Sequence, residues 1–317
     1  MSYSKVFNAV GKSHEEWLAF RRTGIGGSDM SAIMEMNPYR DPVAVWLDKT
    51  GRTQPDTDGN QYTYWGTKLE ALVADEFAKE TGWKVRNNNF TLQSDEHPWM
   101  LANIDREIVG VDAGLECKTA SAYKKEEWDG DNVPNEYYIQ CQHYMAVTGK
   151  SSWWIACLLG GNTFIYKEIP RNEEVIEAII AQGEYFWNEF VVKDVMPATN
   201  GSQACTDALK AMYQPQDDTL IELPSSAEIY IRQYLDEKAK EKEAKQAANA
   251  AKNALMNMMG NNQVGVCGTH TVKYTKPKAR TAFNNKAFAE AHPDLFNQFL
   301  EEVPAMARSH NSCCALA

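Results

Sequence analysis

Apolar residues recur at helical spacing along the first fifty positions, and polar capping residues mark where each helix starts. Ser13 followed by Glu16 is typical of a capping box, which predicts a first helix from this point. A glycine-rich turn, TGIGG, precedes an apolar run that predicts a second helix with Ser28 as its N-cap. The run DPVAVWLDKT predicts a third helix, which Gly51 ends.

The same spacing predicts a fourth helix from about Thr67 to Thr81. Its predicted buried stripe consists of Leu69, Leu72, Val73 and Phe77. Glu70 lies beside this stripe, so its carboxylate is predicted to point toward the protein interior. A carboxylate in that position requires a partner, which is either a metal ion, a metal-bound water or a neighbouring Lys or Arg.

Short apolar and alternating runs between residues 83 and 120 predict strands joined by polar turns. Asp105 stands at the end of one apolar run. Glu116 and Lys118 share one face of a later strand because side chains alternate, and Cys117 faces the other way as a small core residue. Two carboxylates that hold a divalent cation, beside an ammonium that faces water or phosphate, are what a metal-dependent phosphodiesterase requires.

Pro134 precedes a predicted helix, NEYYIQCQHYMAVTG, in which Gln140 and Tyr144 are four residues apart and share a face with Tyr137. His143 projects elsewhere, where packing or surface exposure is the simpler interpretation than metal binding. Two β-rich runs around a Gly-Gly pair then predict a hairpin. A long amphipathic helix is predicted from about Glu173 to Lys193.

The composition changes at Ala198, which predicts a core domain over residues 1–197 and a C-terminal extension over 198–317. The extension is predicted to contain a long helix over 227–259 with a Ser225–Glu228 capping box, a two-stranded element and a last helix. Its compact basic patch consists of Lys273, Lys276, Lys278 and Arg280. These cations are candidates for DNA backbone contacts, although lysines are equally expected on a solvated strand edge.

Arg21 is predicted to lie at the end of the first helix, on the same face as Trp17, and Ser28 follows at the start of the second. A guanidinium and a hydroxyl beside a helix N-terminus are the groups that bind phosphate. The alternative is that Ser28 only caps its helix and Arg21 pairs with a surface carboxylate.

Length and composition are those of an ordinary globular protein: 317 residues, 44% hydrophobic and 24% charged. The net charge of −11 counts against a protein that coats nucleic acid non-specifically, but leaves room for an enzyme with a local basic groove. Apolar runs fall short of the roughly 20 residues that span a bilayer, and the N-terminus lacks an apolar signal core. Seven cysteines without a CxxC motif predict reduced thiols and a cytoplasmic location.

Asp105, Glu116-x-Lys118 and the upstream Glu70 resemble the core of the PD-(D/E)XK nuclease superfamily. Three more stretches resemble motifs of the YqaJ-like phage alkaline exonucleases, the group that includes the lambda exonuclease. They are EEWLAFRRTGIGGSD, WGTKLEALVADEF and YYIQCQHYMAVTG, in the family's order within residues 13–190. Four ordered motifs make the resemblance far more specific than an isolated D…ExK, which often arises by chance.

The resemblance implies an α/β, restriction-endonuclease-like fold: a central mixed β-sheet flanked by helices, with a helix-rich C-terminal extension. It also implies an Mg²⁺-dependent exonuclease, with Mn²⁺ as substitute, that degrades double-stranded DNA in the 5′-to-3′ direction. Such an enzyme generates single-stranded DNA for phage-type recombination. The implied partners are duplex DNA ends and a phage single-strand annealing protein. A toroidal homotrimer, no membrane association and a bacterial host cytoplasm are expected.

The resemblance also assigns roles residue by residue. Asp105 and Glu116 would hold the cation, with Glu70 acting directly or through water and the Cys117 carbonyl as a further ligand. Lys118 would orient or deprotonate the attacking water.

Four more residues receive roles by their position in the matched motifs. Gln140 would position the attacking water or the neighbouring lysine, with Tyr144 as its support. Arg21 and Ser28 would bind the 5′ phosphate of the DNA end.

One departure stands at the acidic turn, where the family usually has Pro-Asp-Gly and this chain has Ile104-Asp105-Arg106. Arg106 is expected to alter how DNA approaches and to contact its backbone. The departure and the acidic charge leave a second function open, a non-catalytic DNA-end-binding or nuclease-inhibiting protein on the same scaffold.

A third possibility is a related endonuclease with an iron–sulfur cluster. The candidate ligands would be Cys117, Cys141, Cys157 and Cys205. Their spacing lacks the close grouping that such clusters usually use, so this interpretation is disfavoured.

Overall fold

A computed structural model describes residues 2–53, 61–213, 220–276 and 281–300. The chain forms two compact units, Met1–Asp218 and Thr219–Ala317. The division therefore lies after residue 218, whereas the composition predicted it after 197. The difference arises because a helix over Gln203–Met212 packs within the first unit and buries Cys205.

The first unit contains both helices and strands. The helices are α1 His14–Arg21, α2 Gly27–Ile33, α3 Pro42–Lys49, α4 Gln61–Thr81, α5 Asn135–Thr148, α6 Glu173–Phe186 and α7 Gln203–Met212. The strands are β1 Tyr3–Asn8, β2 Val85–Asn87, β3 Phe90–Ser94, β4 Leu101–Ala102, β5 Arg106–Ile108, β6 Ala113–Ala120, β7 Ser152–Leu159 and β8 Thr163–Pro170. A 3₁₀ helix spans Ala122–Trp128, and a π-helical turn, Trp187–Val192, extends α6.

A five-stranded mixed sheet with the order β2-β5-β6-β7-β8 forms the centre of this unit. Strands β6 and β7 pair in parallel, and the other neighbours are antiparallel. The parallel pair is connected through α5, as a parallel crossover requires. A second, antiparallel sheet has the order β1-β3-β4. A mixed central sheet flanked by helices confirms the predicted fold class.

Two apolar clusters cover opposite faces of β6 and its neighbours. One contains Trp153 and Ile155 of β7 and the buried residues of α2, α3, α5 and α6. The other contains Val73 and Phe77 of α4 packed against β6, with Cys117 in the same cluster. Side-chain alternation therefore places Cys117 in the core on the face away from Glu116 and Lys118, as predicted. That face is covered by α4, whereas Glu116 and Lys118 face α5.

Helix α1 confirms the capping box, since Ser13 Oγ accepts from the Glu16 amide and Glu16 accepts from the Ser13 amide. The prediction that Ser28 caps α2 is wrong. Helix α2 begins at Gly27 with Gly26 as its N-cap, and the Asp29 carboxylate accepts the Gly26 amide at 2.9 Å. Asp29 takes the acidic N3 position, and Ser28 is N2, two residues after the N-cap.

Helix α4 begins at Gln61, earlier than the predicted start at Thr67. Leu72 was predicted to be buried, and that prediction is wrong because its side chain is 60% exposed. Ala74 takes its place in the stripe with Val73 and Phe77. Helix α4 contacts β6 and β7 along one side, so only a narrow stripe of its residues is buried and Leu72 lies beyond that stripe.

The second unit contains α8 Ala227–Met259, β9 Val264–Cys267, β10 His270–Lys273, α9 Asn285–Ala291 and α10 Pro293–Gln298. The predicted Ser225–Glu228 capping box is absent, because Ser226 is the N-cap without a side-chain bond and Glu228 pairs with Arg232. The predicted single last helix is two short ones, interrupted at Pro293. Within the described ranges, every helix is too short or too polar to cross a membrane.

Candidate active site

Four predicted residues form one hydrogen-bonded network between β6 and α5. Lys118 Nζ lies 2.6 Å from Glu116 Oε1 and donates to Gln140 Oε1 at 3.1 Å. Gln140 Nε2 in turn donates to Glu116 Oε1 at 2.8 Å and to Tyr144 Oη at 2.7 Å. Strand alternation places Glu116 and Lys118 on one face of β6, and the four-residue spacing places Gln140 and Tyr144 on one face of α5, as the sequence predicted. The packing of α5 against the sheet brings the two pairs together.

Burial and charge hold this network in one arrangement. Glu116 is 3% exposed, whereas the Lys118 side chain keeps 21% of its surface open to solvent. Although burial opposes its charge, the carboxylates of Glu116 and Asp105 raise the pKa of Lys118 above its ordinary value. The Tyr137 ring lies 4.8 Å from Lys118 Nζ and covers a second side of the ammonium. The lysine therefore presents a fixed positive charge at the solvent-facing edge of the network.

Asp105 joins the site from the neighbouring strand, immediately before β5. Its Oδ2 accepts the Cys117 amide at 2.8 Å, which fixes the carboxylate against β6. Burial, and then the negative charge of Glu116, raise the pKa of Asp105 well above its usual range. In a buried site, the charged form of Asp105 is stabilised when a cation lies between it and the Glu116 carboxylate.

Glu70 and Arg106 form an ion pair next to this acidic pair. Arg106 Nη1 donates to Glu70 Oε1 at 2.5 Å and to the Asp105 carbonyl at 2.7 Å. The Glu70 carboxylate does turn toward the protein, and its partner is the arginine alternative considered from the sequence. Arg106, expected to contact DNA, is only 8% exposed in this arrangement.

The acidic residues fit a divalent cation only in part. Glu116 Oε2 is buried without a hydrogen-bond partner, so one carboxylate oxygen is left for a ligand. Over the described ranges, however, no three or more His, Cys, Asp or Glu side chains are grouped as a ready metal site. Glu70 is paired with Arg106, which leaves Asp105 and Glu116 as the side-chain candidates.

The predicted phosphate-binding pair is also brought together. Arg21 Nη2 donates to Ser28 Oγ at 3.2 Å, and the guanidinium lies 4.8 Å from the Trp17 ring. The first turn of α2, which carries Ser28, packs against α5: a Cβ on Gly27 would lie 2.9 Å from Gln140 Cγ. Only glycine permits this approach. The Arg21–Ser28 pair therefore lies next to the network, because Gly27 directly precedes Ser28 and contacts Gln140.

Asp29, one residue further, is a buried charge that the sequence interpretation missed. Its carboxylate is fully buried and pairs with Lys49 at 2.7 Å and with Arg40. Although burial opposes ionisation, the charges of Lys49, Arg40 and Arg21 lower the pKa of Asp29 below its ordinary range. Lys49 is the last residue of α3 and follows Asp48, a place where a solvated charge is ordinary, so its burial is not visible in the sequence.

The remaining candidates lie elsewhere. His143 is fully buried with Nε2 3.0 Å from the Leu101 carbonyl, and burial lowers its pKa to about 4, so packing is its role. Lys273 and Lys276 are exposed in the second unit, whereas Lys278 and Arg280 lie outside the described residues.

A family model described as the YqaJ-like viral recombinase domain matches residues 16–151 of the chain. These residues contain all the side chains of the network between β6 and α5. The uncharacterized protein YqaJ of Bacillus subtilis is 36% identical over 294 residues, which cover 92% of each chain. The uncharacterized protein R354 of Acanthamoeba polyphaga mimivirus is 26% identical over 149 residues, 42% of this chain and 26% of that protein.

Among solved structures, the chain is similar to the alkaline exonuclease LHK-Exo from Laribacter hongkongensis. The match is 18% identical and covers 57% of this chain and 94% of the other, with a TM-score of 0.46. A phage related exonuclease from Haemophilus somnus matches at 14% identity over 61% of this chain and 97% of the other, with a TM-score of 0.38. Both likenesses are too distant to assign an activity.

Proposed function

Because the chain belongs to the YqaJ-like viral recombinase domain family, we propose that it is a metal-dependent nuclease that degrades double-stranded DNA from its ends. The observation that supports this proposal most is the Glu116–Lys118–Gln140 network, with Asp105 beside it and one Glu116 oxygen unpartnered. An acidic pair next to a fixed ammonium suits phosphodiester hydrolysis.

Asp105 and Glu116 are proposed to hold Mg²⁺, or Mn²⁺ in its place, with the Cys117 carbonyl as a further oxygen ligand. Hard divalent cations take carboxylate and carbonyl oxygens, which these residues offer. When bound, the cation neutralises the phosphate and lowers the pKa of a water ligand. The chain's own part is to fix the acidic pair: the Cys117 amide holds Asp105, and the Gln140 amide holds Glu116.

Lys118 is proposed to orient the attacking water and to stabilise the negative charge that develops on the phosphate. Gln140 keeps the ammonium in place by accepting a hydrogen bond from it at Oε1, while its Nε2 donates to Glu116. Tyr144 Oη accepts a second hydrogen bond from Nε2 and so fixes which way the amide faces. Loss of any one of these bonds would let the lysine move away from the scissile phosphate.

Digestion of a blunt, 5′-phosphorylated duplex tests the proposed activity. With Mg²⁺ or Mn²⁺ the protein is expected to release acid-soluble nucleotides, and excess chelator is expected to stop the release. Catalytically dead Glu116→Gln protein serves as the control for contaminating nucleases. Absence of nucleotide release with either cation would contradict the proposal.

The Arg21–Ser28 pair is proposed to bind the 5′ phosphate of the DNA end, which gives 5′-to-3′ polarity. Arg21→Ala is expected to lower the preference for 5′-phosphorylated over 5′-hydroxyl ends by about 10- to 100-fold, since it removes charge-assisted hydrogen bonds. The ratio of kcat/KM on the two substrates measures this preference.

Arg22→Ala is the matched control, because the neighbouring guanidinium is committed to Asp48 at 3.1 Å and to the Thr53 carbonyl at 2.8 Å. Its phosphate preference is expected to stay within about twofold of wild type. An unchanged preference in Arg21→Ala would remove Arg21 from the proposed pocket.

One contact favours a second candidate function, DNA-end binding without cleavage. Arg106 already neutralises Glu70, so the site offers fewer free carboxylates than a strong magnesium site would. A wild-type protein that binds duplex ends in Mg²⁺ but releases no nucleotides would establish this second function.

The Arg106 contact also predicts a gain of metal affinity. In Arg106→Ala, Glu70 is expected to be released toward the acidic pair, lowering the Mn²⁺ dissociation constant about tenfold, because affinity follows the number of charged ligands. Titration followed by electron paramagnetic resonance measures it without any cleavage assay. Arg86→Ala, an arginine with 68% of its side chain exposed, is the control, and equal affinities in all proteins would contradict the prediction.

In its biological setting, the protein is proposed to supply single-stranded DNA to a phage single-strand annealing protein, as part of recombination. A homotrimer is proposed for the assembly, in keeping with the family resemblance. The molar mass in solution, measured by light scattering, tests this: a monomer at working concentrations would contradict it.

A further inference from the structure

Exposed aromatic rings line two adjoining cavities at the end of β6. The smaller cavity, about 490 Å³, is lined by Tyr39, Tyr62, Tyr137 and Lys124. The larger, about 690 Å³, adds Trp65 of α4. The cavities share Tyr62 and the segment Thr119–Ser121, so they form one continuous depression. We call it the aromatic groove, with its rings at Tyr39, Tyr62, Trp65 and Tyr137.

The aromatic groove is continuous with the proposed active site. The connection is made by Tyr137, which forms part of the groove wall and whose ring lies 4.8 Å from Lys118 Nζ. Thr119, which lines both cavities, follows Lys118 on β6, although alternation turns its side chain to the other face of the strand. A ligand that stacks on Tyr137 therefore lies beside the proposed catalytic lysine.

Packing explains Tyr137, which is half-buried against the core, but it does not explain the other three rings. Tyr62 is 85% exposed, Tyr39 is 67% exposed and Trp65 is 54% exposed. Single exposed aromatic residues are common, but several that converge on one depression are typical of a binding surface. Exposed aromatic rings are the surface on which nucleobases stack. Stacking requires no particular base sequence, because every base has a flat face.

The charges of the aromatic groove exclude a binding mode based on phosphate contacts. Its described lining includes one lysine, Lys124, whose Nζ lies 3.1 Å from Glu127 and 3.7 Å from Glu136. The lysine charge is therefore compensated within the protein. Backbone-directed binding requires clustered, uncompensated Lys and Arg, which this surface lacks among its described residues. Stacking on the bases is the mode that remains for a nucleic acid.

We propose that the aromatic groove binds unpaired nucleotides of single-stranded DNA by base stacking, next to the catalytic network. The inference rests on the proposed function, because degradation of a duplex end is what exposes unpaired bases beside Lys118. Binding itself needs no hydrolysis. Binding of single-stranded DNA in the aromatic groove can therefore be tested separately from nuclease activity, and either can be absent without the other.

Fluorescence anisotropy with a labelled oligothymidine of about twelve nucleotides, in excess chelator, measures binding without cleavage. The full-length protein is expected to bind this oligomer and to bind a matched abasic oligomer at least tenfold more weakly. The salt dependence is expected to be shallow, since few phosphates are neutralised. Equal affinity for the two oligomers, or no binding of either, would overturn the proposal.

Ring-directed variants test the residues. Tyr39→Ala and Tyr62→Ala are each expected to weaken oligothymidine binding about tenfold, whereas Tyr39→Phe and Tyr62→Phe, which keep the rings, are expected to bind as wild type. Tyr123→Ala is the control, because Tyr123 is 99% exposed but lies outside the groove lining. Alanine variants that unfold like wild type yet bind the oligomer with unchanged affinity would overturn the assignment.

Discussion

Lys118→Ala is expected to reduce hydrolysis of a 5′-phosphorylated duplex by about 10²- to 10³-fold, the effect of removing one preorganised group that stabilises developing charge. The Lys118 ammonium lies within 3.1 Å of both Glu116 and Gln140. The other side chains of the network carry no positive charge, so none of them replaces the ammonium in the variant. The loss is expected in kcat, since duplex binding depends on other contacts. Initial rates at saturating duplex, with Mg²⁺ present, measure it.

Lys79→Ala is the matched control, because Lys79 is 71% exposed on α4 and pairs only along its own helix in the described structure. Its rate is expected to equal that of wild type. Thermal unfolding of Lys118→Ala verifies that the loss of activity is not loss of fold. A folded Lys118→Ala protein that cleaves at the wild-type rate would refute the role assigned to this lysine.

Asp29→Ala is expected to lower the free energy of unfolding by about 3–5 kcal/mol, the usual cost of removing one partner from a buried ion pair. The Lys49 side chain is 1% exposed, so its ammonium would stay buried without a countercharge. Arg40 would lose the same partner. Equilibrium unfolding in urea, under conditions where both proteins refold, measures the difference.

Glu76→Ala provides the comparison for an exposed pair, at a mid-helix position of α4 that tolerates alanine. The Glu76 side chain is 40% exposed and contacts Lys79 at 2.8 Å, and such pairs contribute about 1 kcal/mol or less. If Asp29 is a buried countercharge, Asp29→Ala lowers the free energy of unfolding clearly more than the control substitution does. Equal stabilities for the two variants would mean that the buried charges contribute no more than surface ones.

The parts of the site fixed by local periodicity were predicted from the sequence. Alternation along β6 determines that Glu116 and Lys118 share a face, and helical spacing determines the same for Gln140 and Tyr144. These relations hold within one element and need no knowledge of the tertiary structure. The strands around Asp105 followed equally from apolar runs between polar turns.

The parts that depend on which elements meet were not predicted. The sequence left the partner of Glu70 open between a metal ion and a Lys or Arg side chain. The packing of α4 on β6, the neighbour of β5 in the sheet, brings Arg106 to it. The exposure of Leu72 likewise depends on how much of α4 the strands β6 and β7 cover, which the sequence of α4 does not reveal. The Asp29–Lys49 pair joins two short helices, so neither residue showed its role from its own neighbourhood.

Digestion of a duplex that carries ³²P-phosphate at one 5′ end, in Mg²⁺, tests the central claim of an end-dependent 5′-to-3′ nuclease most directly. The label is expected to appear at once as mononucleotide, because the labelled residue leaves first. A ladder of long labelled fragments would indicate digestion from the 3′ end or internal cleavage. That ladder, or a label that stays in full-length DNA, would contradict the claim.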